Sequence, residues 1–343
     1  MTRLRVACVG TGFIAGRHLA ALAGFRDVDV VAVADPVPER AAAAAERCAA
    51  RAYPDGLALL AAEDLDAVWL CVPPYAHGPL ESAAIDRGLP FFVEKPLALD
   101  LATAVQIGER VRDAGLLTAV GYHWRHLDLL DHVLAALRDR PARLITGYWL
   151  DRTPAAPWWS QRNRSGGQVL EQTTHLFDLA RLLVGEVETV HAREVPAPLG
   201  AQGTGSAQAP VASSVLLGFA SGAVGVISSA RMLEWRHRVG LHLLGDGQAV
   251  ELTERALSDH ELRVRAADGE RVLQSDDDPV AREDREFLDA VRGQRQQVRV
   301  PYAEALRSHA VAWAADRSAQ QNAPVRLADV LPSQLSAAAA ADA

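Results

Sequence analysis

The chain has 343 residues, of which 49% are hydrophobic, and its 43 Asp and Glu against 35 Lys and Arg give a formal net charge of -8. This length is enough for two domains with cores of their own, and the acidic balance argues against binding to nucleic acids or anionic membranes. No apolar run approaches the length of a membrane span, and no signal segment is recognised before the first predicted strand, so we expect a cytoplasmic protein.

A glycine-rich turn follows the first predicted strand, at residues 4–9, and precedes a helix-competent run at residues 17–22. Gly10 and Gly12 let the backbone bend sharply and approach a pyrophosphate, which then rests on the helix N-terminus. Ala15 fills the third position of the motif, where the residue must only let helix and strand pack. The alternative is an ordinary glycine-rich turn. The predicted cofactor contacts of this segment are Gly10, Thr11, Gly12, Phe13 and Ile14.

An acidic residue ends the second predicted strand, at residues 28–34. Asp35 lies at the spacing where a carboxylate accepts hydrogen bonds from the adenosine ribose hydroxyls, and it would repel a 2′-phosphate. The predicted cofactor is therefore NAD. Arg40 keeps NADP as an alternative, and Asp35 before Pro36 is also typical of a turn.

Strand and helix patterns alternate through the first third of the chain, with helices predicted at residues 41–51 and 80–87 around a strand at 67–72. Alternation predicts a parallel, doubly wound sheet, which binds its ligand beyond the carboxyl ends of the strands. Polar segments follow three strand-like runs at that edge. From these segments we assign Pro73, His77, Glu94 and Lys95 to the cofactor and Tyr122 to the substrate, with an ion pair or a scaffold role as the alternative for Glu94.

After Arg125 the pattern becomes one of strands joined by turn signals, notably Ser221-Gly222 and Asp246-Gly247, which predicts a predominantly antiparallel sheet. The predicted strands are 144–150, 213–219, 223–229, 239–244 and 261–265.

One helix is predicted among these strands, over residues 167–183. On a continuous helix Glu171, His175 and Asp178 lie within about 60° of one another. Such a polar stripe is either a solvated surface or part of a site.

The chain is therefore predicted to be α/β, with a Rossmann domain at residues 1–122 and an α+β domain with a large antiparallel sheet at residues 123–330. A low-complexity tail is predicted at 331–343 and a mobile loop at 200–208. The three cysteines, Cys8, Cys48 and Cys71, lack metal-ligand spacing and are expected to be packing residues, and no metal site is predicted.

Three segments together resemble the Gfo/Idh/MocA family, which includes relatives of glucose-fructose oxidoreductase and inositol dehydrogenase. They are residues 10–15, residues 94–98 with Glu-Lys-Pro, and residues 166–178 with Gly-Gly and a histidine. The resemblance covers nearly the whole chain. It implies a substrate-handling set of one lysine, one histidine and an acid four residues before the histidine. The matching residues are Lys95, His175 and Glu171, and Glu171 departs from the family's usual Asp.

The resemblance implies hydride transfer between NAD and a secondary alcohol of a sugar, cyclitol or related polyol. His175 would take the hydroxyl proton, Lys95 would stabilise the developing alkoxide, and Glu171 would bind a neighbouring hydroxyl. Asp178 is a candidate for orienting the imidazole. Trp158 and Trp159 are candidates for stacking on a sugar ring, with burial in an interface as the alternative.

We expect a homodimer or homotetramer. Two other functions stay open: an enzyme that retains NAD for transient oxidation, as in epimerisation or glycoside cleavage, and a non-catalytic NAD-binding sensor or partner subunit. The presence of both Lys95 and His175 counts against the sensor, because a retired site would be free to lose them.

Overall fold

The computed structural model describes residues 2–198 and 208–331. The predicted mobile loop at 200–208 lies outside these residues except for its last position, and the predicted tail at 331–343 lies outside them except for its first. The chain divides into two compact units, Met1–His126 with Asp278–Leu306, and Leu127–Asp277 with Arg307–Ala343.

The predicted strands and helices occur in their predicted order, and further strands and helices lie between them. The strands are β1 Leu4–Val9, β2 Val28–Ala34, β3 Arg51–Tyr53, β4 Ala67–Leu70, β5 Phe91–Val93, β6 Thr118–Val120, β7 Leu144–Arg152, β8 Val187–Val195, β9 Ala212–Phe219, β10 Val224–Leu233, β11 Arg238–Gly245, β12 Gln248–Ala256, β13 Asp259–Ala266, β14 Gly269–Gln274 and β15 Val325–Arg326. The helices are α1 Phe13–Gly24, α2 Pro38–Cys48, α3 Gly56–Ala62, α4 Pro79–Asp86, α5 Leu101–Ala114, α6 Leu130–Arg138, α7 Arg162–Ser165, α8 Gln168–Glu171, α9 Thr174–Val184, α10 Pro279–Val291 and α11 Tyr302–Gln321.

A six-stranded sheet in the order β3-β2-β1-β4-β5-β6 forms the centre of the first unit, and all its strand pairs are parallel. This is the doubly wound order of dinucleotide-binding domains, and it confirms the predicted Rossmann sheet. Strands β4, β5 and β6 are buried at every residue, as expected when helices cover both faces of a parallel sheet.

The segment 278–306 belongs to the first unit, although the predicted boundary placed it in the second domain. Asp278 caps the N-terminus of helix α10, since its side chain accepts a hydrogen bond from the backbone of Val280, and Pro279 is the first helical residue. Phe287 and Leu288 of this helix join the core that includes Trp69 of β4 and Leu19 of α1. Helix α10 therefore belongs to the first unit because its apolar side chains are buried in the core of that unit.

A nine-stranded sheet in the order β14-β13-β12-β11-β7-β10-β9-β8-β15 forms the second unit. Its pairs are antiparallel except for β10 with β7, which confirms the predicted, predominantly antiparallel sheet. The turn signals at Ser221-Gly222 and Asp246-Gly247 join β9 to β10 and β11 to β12, as predicted. In the described parts of the chain, no helix combines the length and apolar character needed to cross a membrane.

Two helices differ from their predictions. The helix predicted at 167–183 is broken into α8 and α9, because the backbone turns at Gln172 and the amide of Thr173 donates five residues back to the carbonyl of Gln168. The helix predicted at 41–51 ends at Cys48, because Ala49 takes a left-handed conformation. Arg51 then begins β3, a short strand that the alanine-rich pattern does not reveal.

Candidate active site

The turn between β1 and α1 has the geometry that a pyrophosphate needs. Gly10 has a φ of +87°, and a Cβ atom there would lie 2.7 Å from the carbonyl carbon of Cys71, so only glycine fits. Gly12 caps α1 without a side-chain hydrogen bond to the helix amides, and a Cβ at this position would meet nothing within 4 Å. A helix N-terminus without a side-chain cap can bind an anion through its first amides. Phe13 is 82% exposed.

Asp35, at the end of β2, ties this turn to the sheet. Its Oδ2 accepts from the backbone amide and the hydroxyl of Thr11, each at 2.9 Å, and its Oδ1 accepts from the amide of Val37 at 2.9 Å. A carboxylate offers about four acceptor positions. The two bonds from Thr11 and the bond from Val37 use three of them, so about one is left for a ligand. The turn role considered from the sequence is thus confirmed, and the ribose contact stays a prediction.

Glu94 and Lys95 follow β5 at the carboxyl edge of the sheet. Lys95 is half-buried and precedes Pro96 through a cis peptide bond. Glu94 is buried, and its Oε2 accepts from the backbone amide of Lys95 at 3.2 Å. The carboxylate packs against Gly121, after β6, where a Cβ atom would lie 2.7 Å from the carboxyl carbon of Glu94. The backbone of two neighbouring strand ends therefore fixes this carboxylate.

Two residues near Glu94 were not predicted from the sequence: His18, which contacts Glu94, and Asp284, which contacts His18. Nε2 of His18, on α1, lies 3.1 Å from Oε1 of Glu94, and Nδ1 lies 2.8 Å from Oδ1 of Asp284, on α10. The indole of Trp69 donates to the same Asp284 oxygen at 2.8 Å. His18 follows the glycine motif by a few residues, but nothing in the sequence pairs it with an acid that lies 266 positions later.

The ionisation of this buried group follows from its partners. Burial opposes the imidazolium, but the charges and hydrogen bonds of Asp284 and Glu94 prevail and raise the pKa of His18 well above its usual value. Burial acts to raise the pKa of Glu94, yet the hydrogen bond and charge of His18 and the charge of Lys95 bring it below its usual value. His18 is therefore cationic and Glu94 anionic near neutral pH.

One group of side chains in the described residues has metal-ligand spacing: donor atoms of His18, Glu94 and Glu283 lie within 4.8 Å of one another. His18 already binds a carboxylate with each ring nitrogen, so an ion would have to replace one of these bonds. Burial raises the pKa of the Glu283 carboxyl well above its usual value, which favours its neutral form. The expectation of no metal site stays a prediction.

The loop after β4 holds two further predicted cofactor residues. Pro73 is half-buried, and His77 is buried with Nδ1 2.6 Å from Oε1 of Glu81. The other oxygen of Glu81 accepts from the amide of Gly78 at the start of α4. His77 is thus part of the network that caps this helix, and its contact with the cofactor stays a prediction, as does the substrate contact of the buried Tyr122.

In the second unit, His175 lies near the start of α9 and is buried. Its ring stacks on Trp149 of β7, with centroids 5.9 Å apart and an interplanar angle of 19°. Asp178 is also buried and accepts from the hydroxyl of Ser308 at 2.6 Å. The solvated-surface interpretation of this stripe is therefore wrong, while the role of Asp178 towards the imidazole stays a prediction.

Glu171 ends α8, on a different helix from His175, so the two do not share one continuous stripe. Its Oε2 accepts from the indole of Trp159 at 2.6 Å. Trp159 is buried, and the guanidinium of Arg231 lies 5.7 Å from its ring centroid, so this indole supports Glu171 rather than offering a face to a sugar. Trp158 is half-buried and stays the candidate for stacking.

Comparison with known proteins identifies the family of both parts of the chain. The family model GFO_IDH_MocA, described as an oxidoreductase family with an NAD-binding Rossmann fold, matches residues 4–122, and the GFO/IDH/MocA C-terminal domain matches residues 141–251. An inositol 2-dehydrogenase of Rhizobium meliloti is 32% identical over 250 residues, which cover 72% of this chain and 74% of that protein. A D-apiose dehydrogenase of Paraburkholderia graminis is 27% identical over 288 residues, covering 81% and 74%.

A levoglucosan dehydrogenase solved with NADH aligns with 95% of this chain and 99% of its own, at a TM-score of 0.84 and 20% identity, a likeness that concerns the fold. The glycine turn, the helix N-terminus beside it and the strand order all fit NAD. This chain is therefore an NAD-dependent oxidoreductase, and it belongs to the Gfo/Idh/MocA family.

Proposed function

We propose that this protein transfers a hydride between NAD and a secondary alcohol of a sugar, cyclitol or related polyol. The observation that carries the proposal is Lys95, which stands half-buried at the carboxyl edge of the Rossmann sheet beside a buried, ionised Glu94. Relatives named as inositol and apiose dehydrogenases support the substrate class. They do not favour an NAD-retaining enzyme of transient oxidation or a non-catalytic sensor.

The proposed chemistry assigns one task to each residue. Bound NAD would supply the hydride acceptor or donor, at its nicotinamide C4. His175 takes the hydroxyl proton, since an imidazole changes charge near neutral pH and Trp149 fixes the plane of this ring. Lys95 donates a hydrogen bond to the developing alkoxide, whose charge it offsets most strongly in the transition state.

Glu171 is proposed to bind a hydroxyl beside the reacting carbon. The hydrogen bond from Trp159 holds one of its oxygens, which restricts the rotamers of a side chain longer than the usual Asp. Glu171 therefore selects substrates by the position of this second hydroxyl, and Trp158 is proposed to stack on the ring.

NAD is proposed to be preferred over NADP because Asp35 presents a carboxylate at the end of β2 and would repel a 2′-phosphate. Arg40, the alternative partner for that phosphate, is exposed. A panel of polyols and sugars, followed by the absorbance of reduced nicotinamide with NAD and NADP in parallel, tests the function and the preference together. Absence of reduction by every member of a broad panel, with NAD retained through purification, would instead support transient oxidation.

We also propose that the protein forms a homodimer or homotetramer through the open face of the nine-stranded sheet. Leu144, Leu216, Val224 and Val226 expose 38%, 50%, 50% and 37% of their surface. They are cross-strand neighbours, since Val224 pairs with Leu144 and Val226 pairs with Leu216. A contiguous apolar face of this kind is typical of a protein interface, and a second copy would present the same strands in return.

A further inference from the structure

A buried row of three side chains in the first unit leads to Lys95. Asp284 binds Nδ1 of His18 at 2.8 Å, Nε2 of His18 lies 3.1 Å from Oε1 of Glu94, and Oε2 of Glu94 accepts from the amide of Lys95 at 3.2 Å. Asp284 and His18 have no exposed surface, and Glu94 exposes 3%. Three elements distant in sequence, α10, α1 and the end of β5, supply these side chains.

We propose that His18 is a positioning residue for Lys95: anchored by Asp284, it holds the Glu94 carboxylate ionised and fixed, and that carboxylate orients the lysine. This inference rests on the proposed function, because His18 affects turnover in this way only if Lys95 acts on the substrate.

The charge of Glu94 depends on the groups that face it. His18, Lys95 and His123 favour the anion, whereas the nearby Asp284, Glu283 and Cys71 supply no positive charge. A buried carboxylate becomes easier to protonate when it loses one of its cationic partners, because burial penalises its charged form. Removal of His18 therefore leaves Glu94 easier to protonate, and the field that holds the Lys95 ammonium weakens.

The position of Glu94 depends on His18 and on a close backbone approach. One carboxylate oxygen is bound by His18 and the other by the amide of Lys95, while Gly121 packs against the carboxyl carbon. A carboxylate held at both oxygens gives the following lysine a fixed electrostatic partner.

Two substitutions of His18 separate this role from a purely structural one. His18→Gln keeps an amide donor near the place of Nε2, which faces Glu94, whereas His18→Asn keeps a donor near Nδ1, which faces Asp284. We expect His18→Asn to lower kcat by roughly tenfold or more and His18→Gln to lower it less, with the KM for NAD within about twofold in both. Because Asn also leaves the larger cavity at this buried position, the order of the two variants supports the role only together with the pH profile.

The pH profile gives a second readout. In wild type the pKa of Glu94 is low, so the carboxylate is charged across the working range. In His18→Asn, protonation of Glu94 should move the acid limb of the kcat profile to higher pH by about one unit or more.

A double variant gives a third readout. In a protein that already carries Glu94→Gln, adding His18→Asn should lower kcat only a little further, because both substitutions act through one carboxylate.

Gly121→Ala tests the same row of side chains, from Asp284 through His18 and Glu94 to Lys95, which we call the relay. It changes no ionisable group, and the added methyl group must displace the Glu94 carboxylate. It should also lower kcat by several-fold while the KM for NAD stays near wild type. His132→Asn, at an exposed histidine of the second unit, is the matched control and should behave as wild type.

The outcomes separate this inference from the proposed function. If Lys95→Ala retains near-wild-type turnover, the proposed function fails and the relay with it. If Lys95→Ala is impaired but folded His18→Asn keeps wild-type kcat and pH profile, or its effect adds fully to that of Glu94→Gln, the relay alone is overturned. A divalent ion found at about one per chain by elemental analysis in wild type and absent from His18→Asn would also overturn it.

Discussion

The indole of Trp159 donates a hydrogen bond to the carboxylate of Glu171 at 2.6 Å and so ties a predicted substrate residue to a buried aromatic ring. Trp159→Phe keeps most of the packing but removes this donor. We expect the KM for the polyol to rise several-fold while kcat falls by less, because the bond orients Glu171 towards a hydroxyl that does not react. Steady-state kinetics measures this split. Trp313→Phe, at a half-buried tryptophan of α11, is the control, and an unchanged KM in Trp159→Phe would remove Glu171 from substrate recognition.

The charge of Asp35 is expected to set the preference for NAD. Asp35→Asn preserves the shape of the side chain and removes the negative charge that disfavours a 2′-phosphate. The ratio of kcat/KM for NAD to that for NADP should fall by roughly tenfold or more, which corresponds to about 1.4 kcal/mol. Parallel titrations with both cofactors measure this ratio. Wild-type protein that turns over equally well with NADP would contradict the assignment.

The apolar sheet face is expected to hold copies of the chain together. Val226→Glu places a charge beside Leu216 on this face and should shift the protein towards a monomer in light scattering after size exclusion. Leu57→Glu, at a comparably exposed leucine of α3, is the control and should leave the molar mass unchanged. A wild-type protein that is monomeric at all concentrations would rule out the oligomer.

Glu283 should make the protein less stable as pH rises. Because burial raises its pKa in the folded chain, this group contributes most below the pKa of the unfolded state, and the contribution is lost as pH increases through the folded value. Glu283→Gln is neutral at every pH. Urea unfolding should therefore show a gain in stability for this variant that is larger at pH 8 than at pH 5.

Glu286 on the same helix is the matched control with the opposite sign. Burial acts to raise its pKa, but His126, the amide of Arg299 and nearby charges prevail and lower it. Its contribution is present above the pKa of the unfolded state and is lost as pH falls through the folded value. Glu286→Gln should thus destabilise the protein more at pH 8 than at acidic pH. The same pH trend in both variants would refute these assignments.

The correct fold predictions rest on local sequence patterns, whereas the features that the sequence did not predict depend on packing between distant parts of the chain. The turn at Gly10 and the strand before Lys95 depend on neighbours in sequence, so both could be read directly. The break at Gln172 could not be predicted from the sequence, because one continuous helical period fits the residues of both α8 and α9. The pairing of His18 with Asp284 depends on α10 returning to the first core, and an amphipathic pattern does not say which core a helix joins.

His175 and Lys95 are proposed to act on the same alcohol. The most direct test is the turnover of His175→Ala and Lys95→Ala with a polyol that wild type oxidises, at several pH values, with folding checked by circular dichroism and NAD affinity by titration. We expect kcat to fall by roughly a hundredfold or more in each variant while the Kd for NAD stays nearly unchanged. Near-wild-type turnover of a folded His175→Ala or Lys95→Ala would contradict it.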